Sequence, residues 1–102
     1  MTNDKYTVYI LKCSDDSYYT GITNDIDRRM FEHETGAIGS SYTWNKKPLK
    51  LVFQEHFHDP NQAIKFEKQV KGWNRKKKEA LIQGDWDEII RLSNLKNTTK
   101  SH

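Results

Sequence analysis

The chain has 102 residues, of which 34% are hydrophobic, and a formal net charge of +3. This length supports one domain with a modest core, and no apolar run is long enough to cross a membrane or to form the core of a signal peptide. The single cysteine, Cys13, excludes an internal disulfide framework. We therefore expect one domain over residues 1–95, a disordered tail over residues 96–102, and a monomer located in the cytoplasm.

The first predicted elements form a β-hairpin. Residues 6–13 include the run Val8-Tyr9-Ile10-Leu11, whose apolar character throughout is typical of a central strand covered on both faces. Ser14-Asp15-Asp16-Ser17 has the composition of a turn, and residues 18–23 form the return strand. A two-residue turn would place Tyr9 and Tyr19 on opposite faces. A shared site for these two rings therefore requires an odd-length loop or a bulge.

A helix is predicted over residues 25–35, with Asn24 as its N-cap and Gly36 as its stop. At about 100° per residue, Arg29 and His33 lie on the arc that faces inward, together with Ile26 and Met30. Arg28 and Glu32 are predicted to point away from the core. Arg29 is therefore the inward arginine of the Arg28-Arg29 pair.

The rest of the chain adds one strand and three helices. A third strand is predicted over residues 49–57, and Asp59-Pro60-Asn61-Gln62 opens a second helix with an N-cap, an N1 proline and a capping-box glutamine. A third helix covers residues 74–83, and Asp85-Trp86-Asp87-Glu88 opens a short terminal helix. The expected fold is α/β of the α+β type, with a small three-stranded, mainly antiparallel sheet flanked by helices.

Glu67 falls inside the apolar arc of the second predicted helix, and not on its lysine-rich face. A carboxylate that faces inward is costly unless it is paired or binds a metal. The residues alone leave two interpretations open. One is an ion pair with Arg29 or with a lysine, and the other is a metal site.

Basic residues are concentrated between residues 68 and 78, where there are six basic side chains and no acidic one. Such a cluster attracts a polyanion, although a solvated helix face has the same composition. The loop over residues 36–48 interleaves rings with cations, which suits either base stacking or packing of the loop against the core. The candidate nucleic-acid-binding residues are Tyr42, Trp44, Lys46, Lys47, Lys71, Arg75, Lys76 and Lys77.

The triplets Thr7-Val8-Tyr9 and Tyr19-Thr20-Gly21, followed by Arg29, His33 and Glu67, resemble the pattern of the GIY-YIG nuclease superfamily. The similarity covers about residues 6–92 and is greatest to the small, single-domain bacterial branch. It implies a catalytic set of Tyr9, Tyr19, Arg29, His33 and Glu67.

The same resemblance implies that Glu67 ligates one divalent metal ion, Mg²⁺ or Mn²⁺. Tyr9 would be the general base, with its anionic form favoured by the neighbouring arginine and the metal. Gly21 has a structural role, which we expect to be a close approach of the strand end to the following helix.

The leading hypothesis is a metal-dependent endonuclease that hydrolyses DNA phosphodiester bonds and is structure-specific or repair-related. RNA stays open as a substrate. The alternatives are a nucleic-acid-binding module without useful turnover, and an adaptor whose basic face binds a repair protein.

Overall fold

The computed structural model describes residues 6–36 and 46–100, with backbone only for residues 95–100. Three antiparallel strands and four helices confirm the predicted α+β class. In chain order they are β1 (Tyr6–Lys12), β2 (Tyr18–Thr23), α1 (Ile26–Thr35), β3 (Lys50–Phe57), α2 (Pro60–Lys71), α3 (Arg75–Gln83) and α4 (Trp86–Lys100). These elements form two compact units, Met1–Lys71 and Gly72–His102, which are described separately below.

The first unit is built on a sheet of strand order β2-β1-β3, in which both pairs are antiparallel. Residues 8–11 of β1 are completely buried, which confirms the prediction of a central strand covered on both faces. Tyr9 and Leu11 contribute to a core cluster against which Ile26 and Met30 of α1 pack. Phe66 of α2 contacts the rings of Phe53 and Phe57 in β3. These two rings lie on the face of the sheet opposite to Tyr9 and Leu11. The two helices therefore cover opposite faces of the sheet.

The start of α1 differs from the prediction by one residue, because Asp25 and not Asn24 is the N-cap. The Asp25 side chain accepts a hydrogen bond from the backbone N–H of Arg28 at 3.1 Å. The hydroxyl of Thr23 accepts from the backbone N–H of Asp25 at 3.1 Å and so holds the chain extended up to that residue. Gly36 ends the helix in the left-handed conformation, as expected, with a φ of 77°.

The second unit contains α3 and α4. Asn74 caps α3, and Gly84 ends it with a φ of 73°. Asp85 accepts from the backbone N–H of Glu88, so the predicted start of the last helix is confirmed. That helix reaches Lys100 and is longer than the sequence indicated, since it continues past residue 96, where a tail was predicted. None of the helices described here has the length and apolar character required to cross a membrane.

Candidate active site

Tyr9 and Tyr19 project from the same face of the sheet, as a shared site requires. Leu11 pairs with Tyr19 and Tyr9 pairs with Gly21, so the loop between the strands is odd in length. Five residues, 13–17, lie between the strands. The backbone N–H of Cys13 donates to the Ser17 carbonyl at 2.9 Å, and Asp16 adopts a positive φ of 71°. The ring centroids of the two tyrosines lie 6.4 Å apart. The predicted odd-length loop is therefore confirmed.

Gly21 does not have the role that we expected. It lies within β2, which continues to Thr23, and its cross-strand partner is Tyr9. The absence of a side chain at Gly21 leaves room for the Tyr9 ring, which supplies the three atoms nearest to an added β-carbon. The reason for a glycine here is contact across the hairpin.

His33 connects α1 to both tyrosines. The Tyr9 hydroxyl lies 3.0 Å from His33 Nε2, and the Tyr19 ring meets the imidazole edge-on at a centroid distance of 5.3 Å. His33 is only 1% exposed. Burial, assisted by the positive charge of Arg29, lowers the pKa of His33 below its ordinary value of 6.5. The imidazole is therefore neutral at neutral pH.

The neighbouring arginine by itself does not make Tyr9 anionic, a form that the sequence predicted from the arginine and a metal together. Burial, together with the neighbouring Tyr19, raises the pKa of Tyr9 from 10.0 to about 12, although Arg29 acts in the opposite direction. Desolvation of the phenolate therefore outweighs the arginine. Tyr9 is therefore a neutral phenol at neutral pH.

Arg29 faces inward, as predicted, but Glu32 does not point away. The Arg29 side chain is 29% exposed, against 57% for Arg28. Arg29 Nε donates to Glu32 Oε1 at 3.1 Å, and Arg28 Nε lies 3.7 Å from the same carboxylate. Glu32 is thus part of the site and was missed. Its spacing of three residues from Arg29 was the available signal, because such residues are neighbours on a helix surface.

Glu67 is buried in the face of α2 that meets the sheet, and its partner is a lysine. Lys71 Nζ lies 2.8 Å from Glu67 Oε2, with the two side chains 57% and 10% exposed. Of the ion pairs that the sequence left open, the structure contains the one with lysine, since Arg29 is paired with Glu32. The hydrogen bond to Glu67 raises the pKa of Lys71, and Tyr19 contributes to the same direction. The charged form of Lys71 is therefore stabilised chiefly by Glu67.

In the part of the chain that is described, the donor atoms fit a metal site with a single protein carboxylate and not one with three or more protein ligands. Among the described residues there is no group of three or more histidine, cysteine, aspartate or glutamate side chains that could hold a metal. Glu67 is the buried carboxylate of the part of the chain that is described. One carboxylate with water in the remaining positions is a donor set for Mg²⁺ or Mn²⁺, whereas zinc requires nitrogen or sulfur ligands.

The predicted nucleic-acid-binding lysines of the loop make contacts within the first unit. Lys46 pairs with Asp15 in the hairpin loop at 3.2 Å, and Lys47 donates to the backbone carbonyl of Glu34 at 2.7 Å. These contacts hold the chain after the loop against β1–β2 and the end of α1. Tyr42 and Trp44 lie outside the described residues.

The predicted basic residues of the second unit lie on the first turn of α3. Arg75 Nε donates to Glu79 at 3.0 Å, and the Lys77 ammonium lies 4.6 Å from the centroid of the Trp73 ring. Lys76 belongs to the same turn. The unit therefore presents three neighbouring cations, and Arg75 is paired with Glu79.

The chain matches the family model described as the GIY-YIG catalytic domain over residues 5–80. A UPF0213 protein of Staphylococcus saprophyticus is 43% identical over 79 residues, which cover 78% of this chain and 95% of the relative. A UPF0213 protein of Haloquadratum walsbyi is 41% identical over 85 residues, covering 83% and 94%.

Solved structures show the same likeness. The solution NMR structure of the UPF0213 protein BH0048 from Bacillus halodurans has a TM-score of 0.52 at 42% identity and covers 78% of this chain and 83% of that one. The solution NMR structure of the protein EF2693 from E. faecalis has a TM-score of 0.58 at 34% identity, with coverage of 82% and 90%.

Proposed function

Because the chain belongs to the GIY-YIG family of nuclease domains, we propose that it is an endonuclease that hydrolyses DNA phosphodiester bonds with one divalent metal ion, Mg²⁺ or Mn²⁺. The observation that carries the proposal is the hydrogen bond of 3.0 Å between the Tyr9 hydroxyl and His33 Nε2. It joins two groups that can move a proton, next to a guanidinium that can bind phosphate.

The proton path begins at Tyr9 and ends at His33. With its imidazole proton on Nδ1, neutral His33 accepts the Tyr9 proton at Nε2. Tyr9 takes a proton from the attacking water as it gives its own to His33, so its oxygen need not be ionised in advance. The raised pKa of Tyr9 and the lowered pKa of His33 keep both groups neutral before the reaction, which are the protonation states that the relay starts from. Because both shifts oppose transfer from Tyr9 alone, the proton moves to His33 only as Tyr9 takes one from the water.

Arg29 binds the reacting phosphate. A guanidinium is always charged and donates in a planar fork, which suits the growing negative charge of the transition state. Glu32 accepts from Nε at 3.1 Å and so fixes the orientation of the guanidinium before the substrate arrives. Glu32 is therefore a positioning residue for Arg29.

Glu67 is the residue that holds the metal in this proposal. The bound ion would stabilise negative charge on the phosphate oxygens. The chain's own contribution is a carboxylate that is already in place and shielded from solvent. One carboxylate supports a one-metal reaction and not a pair of ions.

The substrate is expected to be recognised by its structure. A domain of this size offers little surface for reading a long sequence, so branched, flapped or nicked DNA suits it better than a sequence-defined duplex. A role in repair follows from that substrate class and belongs to the proposal.

A second candidate function is a nucleic-acid-binding module without turnover. The Glu67–Lys71 ion pair favours it, because it gives the buried carboxylate a role that needs no metal. The two functions differ in whether metal-dependent cleavage occurs.

The test is a cleavage panel of branched, flapped, nicked and duplex DNA with Mg²⁺ or Mn²⁺, run with the native protein, Tyr9→Phe and Glu67→Gln. We expect the native protein to cleave at least one of the structured substrates and both variants to cleave none. Glu67→Gln keeps shape and polarity, so we expect its far-UV circular dichroism spectrum to be unchanged. Salt-dependent binding without cleavage by the native protein would establish the second candidate, and cleavage by Glu67→Gln would exclude Glu67 as the metal ligand.

A further inference from the structure

The Lys71 ammonium already occupies a cation position next to the Glu67 carboxylate. Its ammonium is 2.8 Å from Glu67 Oε2, which is contact distance, and the carboxylate side chain is only 10% exposed. A buried carboxylate requires a positive partner, and Lys71 supplies it in the structure. A second cation on the same carboxylate would be repelled by Lys71, and the repulsion is greater the more the carboxylate is shielded from water.

The position of Lys71 in the helix permits it to leave. It is the last residue of α2, and its side chain is 57% exposed although the ammonium contacts a buried group. Its flexible four-carbon stem lets the head move into solvent without disturbing the packing of the helix. The exchange of lysine for metal therefore needs no change in the fold.

We propose that the Lys71 ammonium occupies the cation position of Glu67 and must leave it before a divalent metal binds, so that lysine and metal compete for one carboxylate. The inference rests on the proposed function, because it takes Glu67 as the metal ligand. It adds a regulatory property to that site. Without metal, the ion pair neutralises the buried Glu67 carboxylate and so stabilises the protein. The same pair weakens metal binding, because it must be broken first.

Removal of Lys71 has two consequences that oppose each other. The metal-free protein loses the partner of a buried charge and becomes less stable, whereas the affinity for metal increases. Changing a residue that contacts a metal ligand commonly alters affinity by about 10- to 100-fold, and here the direction is a gain. A lysine with only a structural role would give the first consequence without the second.

The experiment measures Mn²⁺ binding by electron paramagnetic resonance of the free ion in the native protein, Glu67→Gln, Lys71→Met and Lys68→Met. Lys68 is an exposed residue of the same helix, so its replacement removes the same charge without removing the partner of Glu67. We expect Lys71→Met to bind Mn²⁺ about tenfold more tightly than the native protein. Lys68→Met should stay close to the native affinity.

Thermal unfolding provides a second readout, which reports both the stability of each variant without metal and its response to Mn²⁺. We expect Lys71→Met to melt at a lower temperature than Lys68→Met without metal, and Mn²⁺ to raise its melting temperature more than that of the native protein. The double variant Glu67→Gln/Lys71→Met, which has neither charge, should regain stability and lose this response.

The outcomes separate the inference from the proposed function. If Glu67→Gln abolishes Mn²⁺ binding but Lys71→Met binds no more tightly than Lys68→Met, Glu67 is a ligand and the competition is refuted. If Glu67→Gln binds Mn²⁺ like the native protein, or if no variant binds it, both ideas fail. Binding by Lys71→Met alone would support the inference most directly.

Discussion

Gly21 and Tyr9 face each other across the hairpin so closely that even a β-carbon at position 21 would overlap the Tyr9 side chain. A β-carbon on Gly21 would lie 2.5 Å from the Tyr9 oxygen and 2.6 Å from Cζ. Tyr9 is completely buried, so its ring has no free space to move into. Gly21 thereby sets the position of the hydroxyl that contacts His33.

Gly21→Ala should therefore displace Tyr9 and abolish cleavage. We expect a loss of stability of about 1–3 kcal/mol from overpacking, measured by urea unfolding, and a loss of activity larger than this destabilisation explains. Tyr9→Phe/Gly21→Ala should recover little stability, because the ring carbon Cζ still collides.

Gly84→Ala is the matched control for Gly21→Ala. Gly84 has a φ of +73°, and a β-carbon added to it would have no atom within 4 Å, so alanine is strained there but not crowded. We expect a similar loss of about 1–2 kcal/mol with the cleavage rate per folded molecule unchanged. Equal losses of activity in the two alanine variants would show that Gly21 acts only through stability.

The shared face of the tyrosines was predictable from the sequence, whereas the role of Gly21 was not. Side chains alternate strictly along strands, so a site that contains Tyr9 and Tyr19 dictates an odd loop. The contact of Gly21 with Tyr9 depends on the register, and four adjacent turn residues allow more than one register. The loop length was therefore deducible only by assuming the site.

Electrostatic properties of the site were predicted less well than its positions. The period of α1 correctly placed Arg29 inward, but it could not indicate how deeply Tyr9 is buried, and burial decides the direction of its pKa shift. Similarly, an inward Glu67 indicated a cation without identifying it. Lys71 is four residues away on the same helix, whereas the alternative partner, Arg29, required knowledge of tertiary structure.

The pH dependence of cleavage should report the neutral state of His33. Its pKa lies below 6.5, so the proton acceptor stays available at pH 6.5 and activity should fall only at lower pH. We expect the acid limb of the kcat/KM profile to have its midpoint below 6.5. A midpoint above that value would exclude neutral His33 as the proton acceptor.

The free energy of unfolding should depend on pH through His33, and it should decrease as the pH falls. The unfolded chain takes up a proton on histidine more readily than the folded protein, because burial lowers the pKa of His33 in the fold. The contribution is therefore fully present above pH 6.5 and is lost progressively as the pH falls below 6.5 towards the lower pKa of the folded protein. The free energy of unfolding, measured in urea at several pH values, should show this decrease. The decrease should be smaller in His33→Gln.

Arg29→Lys should impair cleavage far more than binding. Lysine keeps the charge but loses the planar fork and the contact that Glu32 makes with Nε. We expect kcat to fall by about 100-fold or more and the dissociation constant for DNA to change little. Arg28→Lys is the control, since Arg28 is adjacent and more exposed. A comparable loss in the control would refute a special role for Arg29.

The three cations of α3 should contribute to DNA binding and not to the chemical step. Changing Arg75, Lys76 and Lys77 together to glutamine should weaken binding and reduce the slope of log affinity against log salt by up to about three units, if each contacts a phosphate. The Arg75–Glu79 pair makes a smaller reduction the expected result, because that arginine already has an anionic partner. Cleavage at saturating DNA should be retained.

A second triple variant separates a local contact from a general effect of charge. Changing Lys50, Lys65 and Arg91 to glutamine removes the same number of charges from exposed positions elsewhere. If these three residues only add to the overall charge, this control should leave the salt slope close to that of the native protein. Equal slopes for the two triple variants would assign the α3 cluster to solvent. We also compare kcat at saturating DNA in the α3 variant and in Arg29→Lys. An equally large loss in both would refute the proposal that the α3 cations hold the polyanion while Arg29 stabilises the reacting phosphate.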